Sequence, residues 1–414
     1  MTATSAGALI NVFRNIIVAN LLGPYVTGLC HTLLVIPQLG QYFNFGLNES
    51  RLVFTSTNEG EGKKNKVYEI NNTVFNLTII TSIFAFIIAG IYITFFPLQY
   101  PGIRSYGILA ALLIIIWEIK RFLLNQYIIE NNIIKLSWIE LTFVVTVFIV
   151  QLSLISLSDQ QYNWFSGGHA FWYGLIIPAT CVVVYGLRDH INKIILSFKI
   201  INLQYMREMI PLGMILQTSA FVYMPFVIIS RILLASTVGI QEVGYFLLST
   251  IFISKFSTLP NSIAKIILPK FSFMHGEKKS FNHLYNLFIR SQKLSFGLAL
   301  LLVLIGYYLL EPVVKLILPD YTPGLLPCKV MMIAAIPYSL IENANKLLLS
   351  LEYKKLYTWI YLTSLISFVI FLTVLFEINR FSALNISWGF SFSFLFYAVI
   401  VNYYIIKLAY VNND

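Results

Sequence analysis

Leu294-Ser-Phe-Gly-Leu-Ala-Leu-Leu-Leu-Val-Leu-Ile-Gly-Tyr-Tyr-Leu-Leu310 runs without a charge between Lys293 and Glu311. A helix needs about 20 mainly apolar residues to cross the roughly 30 Å of bilayer hydrocarbon, and 291–311 reads as one such crossing. Working outward, comparable windows stand at 3–21, 25–46, 70–95, 105–128, 134–157, 168–187, 209–231, 242–264, 324–347, 355–377 and 384–408. The composition agrees: 58% of the 414 residues are hydrophobic and 11% charged, with a mean hydropathy of +0.77. Soluble domains carry about 25% charged residues, so a water-soluble body is excluded. Disorder requires low hydrophobicity and a disulfide scaffold many cysteines, whereas this chain has three. The fold class expected is an all-α polytopic membrane protein of about 12 transmembrane helices.

Orientation follows from loop cations, which gather on the cytoplasmic side. Of 28 Lys and Arg, 21 fall in loops on one face, Arg51, Lys120 and Arg121 among them. Arg104, Arg231, Lys315 and Arg380 fall on the other, and Arg14, Lys255 and Lys329 fall within spans. Both termini are therefore expected to be cytoplasmic. This asymmetry accounts for the +10 net charge without a nucleic-acid partner. Connections on the opposite face (22–24, 96–104, 158–167, 232–241, 312–323 and 378–383) are too short to fold into a domain. That argues against an enzyme with an external catalytic loop. The opening Met1-Thr-Ala-Thr-Ser-Ala-Gly7 lacks the basic region of a removable signal. The first span begins almost at Met1, which fits either a short helix or a start downstream of the true one.

The stretch 188–208 carries apolar residues at near-helical spacing with basic ones between them. It reads as an amphipathic linker on the inner leaflet, the alternative being an irregular solvated loop. It divides the chain into a six-helix bundle at 1–187 and another at 209–414. An offset of 216 residues brings Gly23-x4-Gly28 onto Gly239-x4-Gly244, both in turns on the same face. An even number of spans per half makes the repeats parallel, and two such bundles would enclose a central cavity.

The run Phe13-Arg-Asn-Ile-Ile-Val-Ala-Asn-Leu-Leu-Gly-Pro24-x3-Gly28 resembles the opening of the polysaccharide (O-antigen) flippases. These belong to the multidrug/oligosaccharidyl-lipid/polysaccharide exporter superfamily. Val243-Gly244-Tyr245 and Ile267-Leu-Pro-Lys-Phe-Ser272 resemble the same family around its eighth helix. Asn20 departs from it, standing where the motif usually has a basic residue. The resemblance implies a flippase of the bacterial inner membrane. Its substrate would be a polyprenyl-diphosphate-linked oligosaccharide, such as a repeat unit for lipopolysaccharide. A polysaccharide polymerase and a chain-length regulator are the implied partners. In the lipid-linked peptidoglycan precursor branch, arginines stand at places similar to Arg14 and Lys255 and line the cavity.

The residues give an independent reason. An ionisable group within the bilayer costs about 2.5–3.5 kcal/mol on insertion scales, so it faces water or a partner. Arg14 and Lys255 lie within spans of opposite halves. Two cations in a low-dielectric cleft suit a diphosphate, Arg through bidentate contacts and Lys as a point charge. The alternative is that each is neutralised by a carboxylate or snorkels to an interface. Lys329, at the start of the tenth span, is the third substrate-binding candidate, with the same alternative. For ion coupling the candidates are Glu118, Glu140 and Glu342, against ordinary ion pairing with Lys120, Arg121 or Lys346. His31 reads as a packed polar residue, and Cys30, Cys181 and Cys328 as apolar fillers.

Pro37, Pro178, Pro211, Pro225, Pro260 and Pro337 sit within spans, where bent helices fit an alternating-access transporter. Gly60-Glu-Gly-Lys63 lacks the spacing of a phosphate loop. No cluster has metal-ligand spacing and no nucleophile elbow appears, so no cofactor, metal or enzymatic activity is expected. Two rivals are an exporter of drugs or small molecules in the same superfamily, and a membrane polysaccharide polymerase. The first should place unpaired carboxylates in the cavity.

Overall fold

The computed structural model describes residues 2–60, 63–95, 103–130, 132–158, 166–190, 202–220, 224–256, 263–264, 267, 271, 274, 281–351, 353–378 and 380–411. Among the described residues the secondary structure is helical throughout. Helix α1 (Thr2–Leu33) is bent at Gly23 and followed by α2 (Val35–Gly40) and a 3-10 turn, Gln41–Asn44. Then come α3 (Leu47–Gly60), α4 (Lys64–Phe95), α5 (Ile103–Ile129), α6 (Ile133–Ser158) and α7 (Gly167–His190). Next are α8 (Leu203–Ala220), α9 (Met224–Thr237) and α10 (Ile240–Phe256). The chain finishes with α11 (Phe281–Ile317), α12 (Leu325–Ser350), α13 (Lys354–Glu377) and α14 (Ala383–Val411).

Among the described residues, eight stretches are helical, long and apolar enough to cross a membrane. One of them, Ile10–Asn44, contains the bend at Gly23 and so holds the first two expected crossings. Helix α5 has the necessary length but carries Arg104, Glu118, Lys120 and Arg121. The expected window 209–231 is realised as α8 and α9, with 221–223 outside the described residues. Pro225 is the second described residue of α9. The order of elements matches the twelve-helix expectation. Pro260 and most of the 188–208 stretch lie outside the described residues.

Gly23 and Gly239, the glycines paired by the 216-residue offset, both have positive φ, at 69° and 134°. Side chains rarely tolerate such backbone, which explains glycine at both turns. The chain divides into two compact units, Met1–Phe221 and Val222–Asp414. In the first, α6 packs on α7 and α1, α5 on α4 and α7, and α3 on α4 and α8. In the second, α12 is central, packed on α10, α11 and α14. There Phe226 meets Phe368, Phe394 and Phe390 with ring centroids 4.9, 5.3 and 5.8 Å apart. Large apolar side chains such as Leu301, Tyr308 and Trp359 are left exposed, as lipid-facing surfaces require.

Candidate functional site

Polar side chains are costly inside a membrane unit unless they are satisfied, so a buried cluster of them marks a place where function is stored. The first unit holds such a cluster where α2 gives way to α3. After the 3-10 turn, Phe45 and Gly46 both take left-handed backbone, with φ of 48° and 70°. Gly46 lies against the backbone of Gly213 on α8, and a Cβ on either residue would collide with the other's carbonyl. Beside this contact, Gln217 of α8 donates to the Gln41 carbonyl at 2.7 Å, tying α8 to the turn.

Glu118 of α5, 1% exposed, faces this turn. Its Oε2 accepts from Asn44 Nδ2 at 2.9 Å and from Asn48 Nδ2 at 3.4 Å. One carboxylate oxygen thus joins the residue before the turn to a residue on the helix after it. Arg121, one turn along α5, pairs with Glu49 of α3 and places Nη1 3.6 Å from Glu118 Oε1. Arg51, fully buried, donates from Nη2 to the Phe122 carbonyl at 2.8 Å, and its guanidinium lies 3.7 Å from the Phe122 ring centroid. Two carboxylates and two guanidiniums therefore balance formally. Glu118 Oε1, Asn44 Oδ1, Asn48 Oδ1 and Arg51 Nε remain buried without a hydrogen-bond partner among the described residues. Such a network has spare capacity for water or a proton, and loss of the Glu118 charge would loosen both ends of the turn together.

The sequence reading placed Arg51 in a loop on the cation-rich face, whereas the structure buries it on α3. A fragment rich in Asn, Glu and Thr looks like a loop, yet it folds as α3 and packs against α4, α5 and α8. Asn44 and Asn48 were also missed. The available signals were the two asparagines flanking Gly46 and the Glu118-x2-Arg121 spacing, which puts two polar groups on one helix face.

The other candidates are distributed as follows. Arg14 is half-buried on α1, and both Nε and Nη2 bond the neighbouring Asn15 side chain, at 3.2 and 2.7 Å. No carboxylate pairs with it among the described residues. Lys255 lies within α10, with its side chain outside the described residues. Lys329 is held by Glu311 at 2.8 Å, which also binds Lys315 at 2.9 Å, and its Nζ lies 5.1 Å from the Tyr307 ring centroid. Glu140 is exposed on α6 and interacts electrostatically with Lys120, whose Nζ sits 3.4 Å above the Phe143 ring. Glu342 is 5% exposed, accepts from the Tyr338 hydroxyl at 2.9 Å and lies 4.0 Å from Lys346. Beside it, Asn343 donates to Ser295 Oγ at 2.8 Å and to the Ser291 carbonyl at 3.2 Å. His31 packs edge-on against Phe171 with centroids 5.7 Å apart. Among the described residues, no His, Cys, Asp and Glu cluster could hold a metal ion.

By sequence the chain matches no protein-family model and no curated protein. By structure it is similar to a multidrug resistance MATE family transporter of the MOP superfamily, in its inward-facing conformation. That match has a TM-score of 0.76 and 11% identity, and covers 98% of this chain and 95% of the other. It is also similar to the lipid II flippase MurJ in an inward closed conformation, with a TM-score of 0.71, 13% identity and coverage of 98% and 86%. A further similar structure, a MATE protein in complex with MaL6, gives 0.68 and 10%, with coverage of 99% and 94%. The chain therefore has the all-helical membrane fold shared by these transporters.

Proposed function

We propose that this chain is a membrane transporter, not an enzyme, that flips a polyprenyl-diphosphate-linked oligosaccharide across the bacterial inner membrane by alternating access, with both termini cytoplasmic. The observation that carries the substrate class is Arg14. A guanidinium within a membrane-spanning helix normally has a carboxylate partner, whereas this one is met by the neutral Asn15 side chain. A diphosphate would supply the missing charge through bidentate contacts. Lys255 is the second cation assigned to it. Lys329 contributes less, because it already pairs with Glu311. Similarity to the lipid II flippase fold supports a lipid-linked substrate, and an O-antigen repeat unit with its polymerase and chain-length regulator is the finer form of the same proposal. Glu118 is the carboxylate assigned to ion coupling, ahead of Glu342 and the exposed Glu140.

The rival, export of small cations or drugs, draws on the same fold and on the buried Glu118 and Glu342. Reconstitution separates the two. Purified protein in proteoliposomes is expected to move a fluorescent polyprenyl-diphosphate sugar, and Arg14→Ala to lose most of that activity while Arg14→Lys keeps part of it. Movement of a cationic dye with no movement of the lipid-linked sugar would establish the rival.

A further inference from the structure

On the surface of the first unit, α6 and α7 form an apolar groove of about 390 Å³. Trp138, Ile139, Pro178, Cys181 and Tyr185 line it, with Lys135 at one end. Trp138 is 63% and Tyr185 48% exposed, so no part of the described chain covers it. Three properties indicate what does. Along α6 the lining residues run from Lys135 to Thr146, roughly 16 Å at about 1.5 Å per residue. That is about half of the roughly 30 Å hydrocarbon core, the depth of one leaflet. Amphipathic aromatics stand near the Lys135 end, as at a membrane interface. The charges gather at that same end.

Lys135 binds Asp189 at 2.8 Å, so this pair is internally compensated. Arg188 is different. It follows Cys181 by seven residues and Tyr185 by three, which places it on the same face of α7 as the groove. It is exposed, and no carboxylate pairs with it among the described residues. Among the described residues, the mouth of the groove therefore carries one guanidinium with no carboxylate partner, above a slot as deep as one acyl chain.

We propose that this groove is a binding site for a single anionic phospholipid, with an acyl chain lying along Pro178 and Cys181 and the headgroup phosphate on Arg188 beside Lys135. The site is independent of the transported substrate.

Native mass spectrometry of the full chain, released from nanodiscs of mixed phosphatidylglycerol and phosphatidylcholine, tests it. One phosphatidylglycerol is expected to survive collisional activation that removes the other lipids. Arg188→Ala should reduce its retention about fivefold, the effect of one basic side chain at an anionic headgroup. Cys181→Trp, which fills the slot without touching a charge, should abolish retention. Arg188 is exposed, so its removal leaves folding intact, and an unchanged thermal midpoint would verify this. Equal retention of the two lipids by the unsubstituted chain would overturn the proposal, as would an Arg188→Ala preference equal to that of the parent. Displacement of the bound lipid by polyprenyl phosphate at equimolar concentration would also overturn it, by assigning the groove to a transport substrate.

Discussion

Asn44 donates a 2.9 Å hydrogen bond to Glu118 from the last residue before the left-handed turn at Phe45 and Gly46. Because Asn48 reaches the same oxygen from the other side of that turn, the geometry of the break depends on an acceptor that belongs to another helix. Main-chain strain at Phe45 costs on the order of 1–3 kcal/mol and persists only where the surroundings hold it. Here the holding groups include titratable and amide side chains, beside the apolar packing of Leu47 and the contact of Gly46 with Gly213.

Glu118→Gln and Glu118→Ala should therefore behave differently. The amide keeps the size of the carboxylate and one acceptor oxygen, so its stability loss should be about 1 kcal/mol. Alanine leaves two asparagine amides without their acceptor and Arg121 with Glu49 alone, and should lose about 3–5 kcal/mol. Thermal unfolding in detergent measures both. If Glu118 carries the coupling proton, Glu118→Gln should also transport with no response to an imposed pH gradient. An unaltered gradient response would remove Glu118 from coupling while leaving its structural role standing.

Arg51 makes a second test, since it is buried and its neighbours are fixed. Removing it leaves Glu49 and Glu118 opposed by Arg121 alone and frees the Phe122 carbonyl. Arg51→Met preserves the stem and most of the contact with the Phe122 ring, yet should lose about 3–5 kcal/mol. Restoring the balance with Arg51→Met and Glu49→Gln together should recover part of that loss. Strict additivity of the two substitutions would show that they do not share a network.

How much of this was readable from sequence depends on the range of each interaction. The crossings were, because twenty apolar residues in a row are a local signal. Glu118 was too, as a charge inside an apolar run. Arg51 was not, because its burial rests on Phe122, far along the chain, and its own surroundings look like a solvated loop. The association of α8 with α3 was equally hidden. It depends on Gly46 and Gly213, and nothing local to either glycine shows that the two meet.

Lys329 and Arg14 should part company in transport. Lys329 sits in an ion pair with the exposed Glu311, so, on the proposed function, Lys329→Met should leave the flipping rate near that of the parent. Arg14→Met should abolish most of it, since no described carboxylate needs Arg14 for its own neutralisation. Comparable losses in the two variants, at equal levels of folded protein, would refute the priority given to Arg14.

The glycines permit the most discriminating comparison, because they separate strain from space. Gly23 has φ 69° and ψ 168°, but a methyl added there would meet nothing within 4 Å. Gly23→Ala should therefore show backbone strain alone, about 1–3 kcal/mol. Gly213 has ordinary helical backbone, but a Cβ there would stand 2.6 Å from the Gly46 carbonyl oxygen, so Gly213→Ala reports the close approach of α8 to the turn. Gly46→Ala combines both penalties, left-handed φ and overlap with the Gly213 carbonyl. The expected order of thermal stability is Gly23→Ala above Gly46→Ala, with Gly46→Ala also below Gly213→Ala. Were Gly213→Ala as stable as the parent, α8 would be free to move away from the turn, and the hold on Phe45 would rest on Glu118 alone.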